Sequence, residues 1–204
     1  MKHIQPSKVE IRIVAGSLRG RKVKTVVHDE LRPTPQRVLE ALFSILGNAV
    51  PGRPFFDLFA GTGVHGLEAI SRAATEAVFV ERDAKLANAI DGKLREWDIA
   101  RQGQVARADV YRWAERWIPP AGPVNLFLSP PFADLTERYD AFLALVTQLA
   151  DKAPLESCVC IQAEDGFPTE QLPGANWDVR AYGRNVLAIW VKEAAAAEAR
   201  ETPV

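Results

Sequence analysis

The fold is decided by Phe55-Phe56-Asp57-Leu58-Phe59-Ala60-Gly61-Thr62-Gly63-Val64-His65-Gly66. This segment begins with an apolar run that is typical of a buried strand. The glycines that follow let the backbone turn tightly and approach a ligand without an intervening Cβ. Their spacing spells GxGxxG, which predicts a strand that turns into a helix beneath a bound nucleotide. Because dinucleotide-binding proteins share this spacing, the loop alone does not identify its ligand.

Two acids near the loop indicate which nucleotide it holds. Asp57 lies four residues before Gly61, where its carboxylate can accept a hydrogen bond from the cationic amino-acid part of S-adenosylmethionine. The same carboxylate would repel the pyrophosphate of a dinucleotide. Glu81 ends the next apolar run, where ribose hydroxyls are usually bound, and this feature serves either cofactor. S-adenosylmethionine is therefore the favoured cofactor, and a nicotinamide-dependent reductase is the competing interpretation.

The sequence around this loop alternates between strand and helix patterns. The predicted strands are Phe55–Phe59, Ala77–Glu81, Gln104–Arg107, Val124–Leu128, Ser157–Ala163, Trp177–Tyr182 and Val186–Val191. Helices are predicted between the first four strands, ending near Arg72, Trp97 and Trp117, and over about Leu135 to Asp151. This alternation is typical of a parallel sheet covered on both faces. Only three residues separate the last two strands, which predicts an antiparallel hairpin.

By analogy of fold, seven strands in this order indicate an α/β protein, a class I Rossmann-like S-adenosylmethionine-dependent methyltransferase. We expect a seven-stranded, mostly parallel sheet whose last strand is antiparallel, with an N-terminal β-hairpin as an extension. The predicted boundaries are residues 1–33 for a basic hairpin that binds RNA, 34–192 for the methyltransferase domain and 193–204 for a C-terminal tail. Asp109 begins the helix after the third of these strands, where it serves either the adenine or the helix N-terminus.

The first forty residues differ from the rest of the chain in charge. They carry nine lysines and arginines against four acids, a balance of +5, whereas the whole chain carries −1. Val9–Val14 and Lys22–Val26 alternate apolar and polar residues as the two strands of a hairpin would. A helix is predicted to follow, with Thr34 as its N-cap and Pro35 at its first position. A basic hairpin on a mildly acidic body predicts an appendage that binds a polyanion.

Composition excludes several other classes of protein. A hydrophobic fraction of 48% in 204 residues supports one domain with a full core. No stretch approaches the ~18 apolar residues that cross a bilayer, and the first residues lack an apolar signal core, so we expect a cytoplasmic protein. We interpret Cys158 and Cys160 as small buried residues on opposite faces of a strand, too poorly placed to pair or chelate. With three scattered histidines, no metal site is expected; we expect a monomer.

A second motif follows the fourth predicted strand: Ser129-Pro130-Pro131-Phe132. Two prolines stiffen the backbone and remove two N–H donors, which leaves carbonyl groups free to face a ligand. An aromatic side chain directly after them can stack on a planar base. This element gives the nicotinamide interpretation no support, and it predicts a site for a flat amino-bearing substrate.

The chain resembles the amino-methyltransferases whose signature is Asp/Asn-Pro-Pro-Tyr/Phe, and among them the RsmD family. The resemblance covers nearly the whole chain. It rests on the following segments: Arg12-Ile13-Val14-Ala15-Gly16 with Gly20-Arg21, Arg32-Pro33-Thr34 with Arg37, Glu40 and Phe43, Asp57 to Gly63, Gly66 to Arg72, Pro130-Pro131-Phe132 and Tyr182-Gly183. The glycine loop is common among methyltransferases, whereas its combination with the Arg-Pro-Thr and Pro-Pro-Phe segments is specific to this family.

The resemblance implies an enzyme that methylates the exocyclic N2 of a guanine in 16S ribosomal RNA, free or in the 30S particle. It implies catalytic contacts from Ser129, Pro130, Pro131 and Phe132. Cofactor contacts are expected from Asp57, Phe59, Ala60, Gly61, Thr62, Gly63, Glu81, Arg82 and Asp109. RNA contacts are expected from Arg12, Arg19, Arg21, Lys22, Arg32, Thr34 and Arg37.

The chain departs from the family pattern at Ser129, where relatives carry Asp or Asn. A serine hydroxyl is shorter and uncharged, and charge-assisted hydrogen bonds are roughly twice as strong as neutral ones. We therefore expect slower catalysis than in relatives. Three alternatives stay open: a relative that binds cofactor and RNA without catalysis, and a methyltransferase that acts on DNA or on protein.

Overall fold

The computed structural model describes residues 7–27 and 34–194, and the predicted RNA contact Arg32 lies outside them. Two strands come first, β1 (Ser7–Arg12) and β2 (Lys22–Val27). The remaining strands are β3 (Phe55–Leu58), β4 (Ala77–Glu81), β5 (Gly103–Arg107), β6 (Asn125–Leu128), β7 (Cys158–Glu164), β8 (Asp178–Tyr182) and β9 (Asn185–Val191). The helices are α1 (Gln36–Leu46), α2 (Val64–Ser71), α3 (Ala84–Glu96), α4 (Val110–Arg116), α5 (Phe132–Thr136) and α6 (Tyr139–Lys152).

Strands β3 to β9 form one sheet in the order β5-β4-β3-β6-β7-β9-β8. The pairs among β3, β4, β5, β6 and β7 are parallel, whereas β9 lies antiparallel between β7 and β8. The predicted seven-stranded sheet with its antiparallel last strand is confirmed. The order reverses between β3 and β6, and ligands of open α/β sheets bind at such a switch point, beyond the carboxyl ends of the strands.

Alternating side chains of the central strands build a core on each face of the sheet. Phe55, Phe79 and Phe127 lie on one face, in a cluster with helices α1, α2 and α3. Leu58, Val80 and Leu128 belong to the cluster on the other face, which is covered by α4 and α6. The central strands are therefore buried on both sides and hold their carboxyl ends in fixed positions.

The N-terminal hairpin is packed into the first of these cores. Ile11, Ile13, Leu18 and Val23 are buried there. The fully buried carboxylate of Glu68 accepts hydrogen bonds from the backbone N–H groups of two residues that follow β1, at 2.7 and 3.2 Å. Since unpaired buried charges are costly, these bonds tie the hairpin firmly to α2.

Three details differ from the sequence-based expectations. The predicted N-cap Thr34 is wrong: Pro35 holds that position without a side-chain cap, and the Thr34 hydroxyl donates to Gln162 Oε1 instead. The single helix predicted over about Leu135 to Asp151 is two helices, α5 and α6, because Arg138 leaves helical geometry between them. The two cysteines lie in the same core cluster, since residues two apart on a strand share a face.

Candidate active site

One cavity of about 750 Å³ opens at the carboxyl ends of the central strands. A volume of this size is ordinary for a small-molecule site. The lining residues come from the ends of β3, β4, β6 and β7 and from the segments beside them: Thr34, Phe59, Ala60, Gly61, Thr62, His65, Val80, Glu81, Arg82, Asp83, Lys85, Leu86, Ala108, Asp109, Val110, Ser129, Pro130, Pro131, Phe132, Ala133, Asp134, Leu135, Gln162, Ala163, Glu164 and Asn185. The structure thus brings the two sequence motifs into one cavity.

The glycine bend, residues Ala60 to Gly63, forms the floor beside β3. Gly61 and Gly63 adopt φ values of 53° and 73°, in the region that side chains disfavour. Gly63 does not line the cavity but caps α2, and its N–H donates to the carbonyl of Ala60 at 2.8 Å. Gly66 is needed for packing, since a Cβ there would lie 2.2 Å from the ring of Phe79. Of the three glycines in the motif, Gly61 therefore lines the cavity, whereas Gly63 and Gly66 serve the local fold.

Glu81 ends β4 with its carboxylate on the cavity wall. One carboxylate oxygen accepts from the N–H of Gly61 and the other from the N–H of Asp83, both at 2.8 Å. These bonds fix the bend against β4. Each oxygen can accept more than one hydrogen bond, so the carboxylate retains capacity for hydroxyl groups of a ligand such as ribose.

Asp57 lies below the bend and does not line the cavity. Its carboxyl is fully buried and accepts from the N–H of Gly66 at 3.0 Å. The other oxygen, Oδ1, has no partner among the described residues. Burial raises the pKa of Asp57 to about 8, with the charge of Glu81 adding to the rise and the Gly66 N–H opposing it. An unsatisfied buried acceptor of this kind suits a cationic ligand group placed above it.

His65 is neutral and packed. Its ring lies 4.0 Å from the ring of Phe127, and burial lowers the pKa of the imidazole to about 3. His65 is therefore a packing residue, although its side of α2 also borders the cavity. A neutral ring with so low a pKa is unsuited to take up a proton near neutral pH.

Residues at the starts of α4 and α5 also line the cavity. Asp109 is the N-cap of α4 and accepts from the N–H of Arg112, so its helix role is confirmed, while it also lines the cavity. Tyr111 donates to the buried carboxylate of Asp134 at 2.8 Å, and the guanidinium of Arg138 lies over the tyrosine ring at 4.2 Å. Burial and this carboxylate raise the pKa of Tyr111. No local sequence signal had indicated this group.

The diproline loop, residues Ser129 to Phe132, forms another part of the cavity wall. The N–H of Ser129 donates to the carbonyl of Leu58 at 3.3 Å, which ties the start of the loop to β3. Pro131 is the N-cap of α5. Phe132 borders the cavity with 60% of its surface exposed, so its ring is available for stacking.

Among the described residues assigned to RNA, Thr34 lines the cavity and the five cations do not. Arg12, Arg19, Arg21 and Lys22 are exposed on the hairpin. The guanidinium of Arg21 lies 5.5 Å from the ring of Trp97, and Lys22 pairs with Glu10 at 2.7 Å. Arg37 donates to the carbonyl of Tyr182 at 3.2 Å. The side chain of Arg19 makes no hydrogen bond or ion pair with another described residue.

Two absences apply to the described segments. No helix within residues 7–27 and 34–194 is long and apolar enough to span a membrane. In the same ranges, no three or more His, Cys, Asp or Glu side chains form a group able to hold a metal ion.

The sheet order, the glycine bend and the carboxylate at the end of β4 together define a class I methyltransferase that uses S-adenosylmethionine. Solved structures support this class. A putative methyltransferase, yhhF, from Escherichia coli matches with a TM-score of 0.72 and 26% identity, over 91% of this chain and 99% of that one. The 16S rRNA N2 G1207 methyltransferase RsmC of Thermus thermophilus, in complex with AdoMet and guanosine, matches in fold with a TM-score of 0.69 at 19% identity, over 93% of this chain and 51% of that one.

The family is shown by sequence. The model of the family described as "Conserved hypothetical protein 95" matches residues 11–191. The putative rRNA methyltransferase YlbH of Bacillus subtilis is 32% identical over 192 residues, covering 89% of this chain and 99% of that protein. Ribosomal RNA small subunit methyltransferase D of Escherichia coli K12 is 32% identical over 189 residues, covering 91% of each. The chain belongs to this RsmD-type family of methyltransferases.

Proposed function

We propose that the protein methylates the exocyclic N2 amino group of a guanine in the 16S RNA of the small ribosomal subunit. One observation carries the proposal: the glycine bend and the diproline loop line a single cavity. Support for the RNA comes from relatives named as rRNA and small-subunit methyltransferases. The choice of guanine N2 rests on the resemblance to the RsmD family.

The residues around the bend fit S-adenosylmethionine, which when bound supplies an electrophilic methyl group on a sulfonium. Glu81 would accept from the ribose hydroxyls, and Asp109 lies where adenine is expected. Oδ1 of Asp57 is buried without a partner among the described residues, which suits the cationic amino-acid end. Phe59, Ala60, Thr62 and Arg82 would complete the contacts.

The diproline loop would orient the target amino group. The lone pair of an aromatic amine is delocalised into its ring, so the nitrogen is a poor nucleophile until its protons are held out of the plane. The Ser129 hydroxyl and the Pro130 carbonyl are acceptors that can hold those protons. Since the proton becomes acidic only after the methyl group is transferred, no strong base is required. The rate then depends on positioning and electrostatics.

Phe132 would hold the target base after it leaves its stack. Extrusion of a base costs a few kcal/mol, and stacking on an aromatic ring returns roughly 1–3 kcal/mol. The exposed ring at the cavity mouth supports this role.

The basic hairpin, residues 1–33, would bind the surrounding RNA as an extension of the methyltransferase domain. Its exposed cations Arg12, Arg19, Arg21 and Lys22 would meet phosphates, together with Arg37 and Arg32. Because Ile11, Ile13, Leu18 and Val23 are buried in the core, residues 7–27 of the hairpin are anchored to the domain, and phosphate contacts made by them would orient the RNA relative to the cavity.

Ser129 favours a second candidate, a relative that binds cofactor and RNA with little or no transfer. Calorimetric titration with S-adenosylhomocysteine and a tritiated-methyl assay on small subunits separate the two candidates. Binding together with transfer supports the methyltransferase, whereas binding without transfer supports the second candidate.

The direct test is mass spectrometry of nucleosides from small-subunit RNA of cells with and without the protein. We expect loss of N2-methylguanosine at one position, restored when the purified protein and S-adenosylmethionine are added to subunits from the deficient cells. Loss of a methylated adenine or cytosine instead, or no change, would contradict the proposal.

A further inference from the structure

Three polar side chains, Thr34, Gln162 and Asn185, form what we call the amide wall of the cavity. Thr34 and Gln162 are buried, with 7% and 8% of their surfaces exposed, yet all three line the cavity. Buried polar groups are costly unless they are hydrogen-bonded. Their presence beside a ligand cavity therefore calls for a role, and the cofactor contacts described above do not use them.

Strand register places the amide wall next to the diproline loop. Leu128, the last residue of β6, pairs with Ile161 of β7, so Ser129 and Gln162, the next residue of each chain segment, lie on neighbouring strands at the same level of the sheet. Neighbouring strands lie about 4.8 Å apart, comparable with the length of the Watson–Crick edge of a purine. A base whose amino group meets Ser129 would thus extend its remaining edge toward Gln162.

The orientation of the Gln162 amide is fixed by its neighbours. Its Oε1 accepts from the Thr34 hydroxyl at 3.1 Å, and its Nε2 donates to Asn185 Oδ1 at 3.4 Å. An amide has two acceptor lone pairs and two N–H donors. One acceptor position on Oε1 and one donor on Nε2 therefore remain, and a reversal of the amide would require the Thr34 hydroxyl and the Asn185 amide to turn as well.

We infer that Gln162, oriented by Thr34 and Asn185, recognises the N1–H and O6 groups of the target guanine. Guanine offers a donor at N1 and an acceptor at O6 next to its amino group, which complements the C=O and N–H of a primary amide. This inference rests on the proposed function and adds to it how the base is selected. A site whose buried polar groups must be paired rejects a base that cannot pair with them.

The test compares guanine with 2-aminopurine at the methylated position. 2-Aminopurine keeps the amino group that accepts the methyl but lacks both N1–H and O6. The ratio of the kcat/KM values for the two RNAs is measured for the wild type and for Gln162→Leu. Comparing the ratios cancels the intrinsic difference in reactivity between the bases.

We expect the wild type to prefer guanine by about tenfold or more, as a bidentate pair would give, and Gln162→Leu to lose most of this preference. Gln104→Leu makes the same change on exposed β5 and should keep the wild-type ratio. Thr34→Val should weaken the preference by letting the amide rotate, and Thr34→Ser should restore it. Affinity for S-adenosylhomocysteine, unchanged in each variant, shows that the fold is intact.

An equal ratio in the wild type and in Gln162→Leu would overturn the inference while leaving guanine methylation established. If the wild type binds cofactor but methylates neither RNA, the proposed function itself fails, and the inference fails with it.

Discussion

The two sides of the cavity are held by different kinds of hydrogen bond. On the cofactor side, Glu81 accepts from backbone N–H groups that lie 20 and 2 residues away in the chain. On the amide wall, Gln162 is held by the side chains of Thr34 and Asn185, 128 and 23 residues away. A side fixed through backbone groups depends on few side-chain identities and suits a cofactor common to many enzymes. A wall fixed through side chains can change with the substrate.

The largest expected effect lies on the cofactor side. Glu81→Gln should weaken binding of S-adenosylhomocysteine about 100-fold, because one backbone N–H then faces an amide N–H and the ribose loses a charged acceptor. Calorimetric titration measures it. Glu76→Gln, on an exposed acid just before β4, is the matched control and should bind normally. If both variants bind S-adenosylhomocysteine equally well, Glu81 does not contact the cofactor.

A pH dependence tests Asp57. Its pKa is raised from 3.8 to about 8, so the folded state favours the neutral carboxyl. The stability that the folded chain gains from this neutral carboxyl is fully present below pH 3.8 and is lost as the pH rises through about 8. A cationic ligand group favours the carboxylate, so affinity for S-adenosylhomocysteine should rise about tenfold from pH 6 to pH 7. The same slope in Asp57→Asn would show that another group is responsible.

A smaller effect is expected at the diproline loop. Ser129→Asp should raise the rate of methyl transfer about fivefold, because a charge-assisted hydrogen bond to the amino group exceeds a neutral one by about 1 kcal/mol. Single-turnover assays on small subunits measure the rate. Ser44→Asp adds the same charge at an exposed position on α1 and should leave the rate unchanged. A rate that is unchanged or lower in Ser129→Asp would contradict the role given to this position.

The smallest effect concerns the hairpin, whose described residues 7–27 do not line the cavity. Arg19→Gln should reduce the slope of log affinity against log salt by about 0.7, roughly a twofold change in affinity between 0.1 and 0.3 M salt. Filter binding to small-subunit RNA measures the slope. Arg101→Gln, on an exposed residue before β5, serves as the control. Identical slopes for wild type and Arg19→Gln would exclude Arg19 as a phosphate contact.

The same difference between the two sides explains what sequence could predict. Gly61, Glu81 and the diproline loop were found because each signal lies within a few residues of a strand end. Gln162 and Asn185 were missed because their role depends on Thr34, a partner that only the folded chain brings near. Thr34 itself resembles an N-cap in sequence, since Thr-Pro commonly starts a helix. In the folded chain Pro35 holds the N-cap position of α1, and the Thr34 hydroxyl donates to Gln162.

Backbone breaks within helical patterns were equally hard to foresee. The apolar periodicity from Leu135 onward runs on through the gap between α5 and α6, although Arg138 leaves helical geometry with φ −128° and ψ 29°. Packing positions, such as Gly66 against Phe79, share a motif with ligand-facing glycines and are separated from them only by the three-dimensional arrangement.

A crystal structure of the protein with S-adenosylhomocysteine and guanosine would test most directly that one cavity holds both partners. The expected result is the cofactor product over the glycine bend with its ribose at Glu81, and the base between Phe132 and Gln162 with its amino group at Ser129. Cofactor product bound away from the bend, or guanosine bound away from the diproline loop, would contradict it.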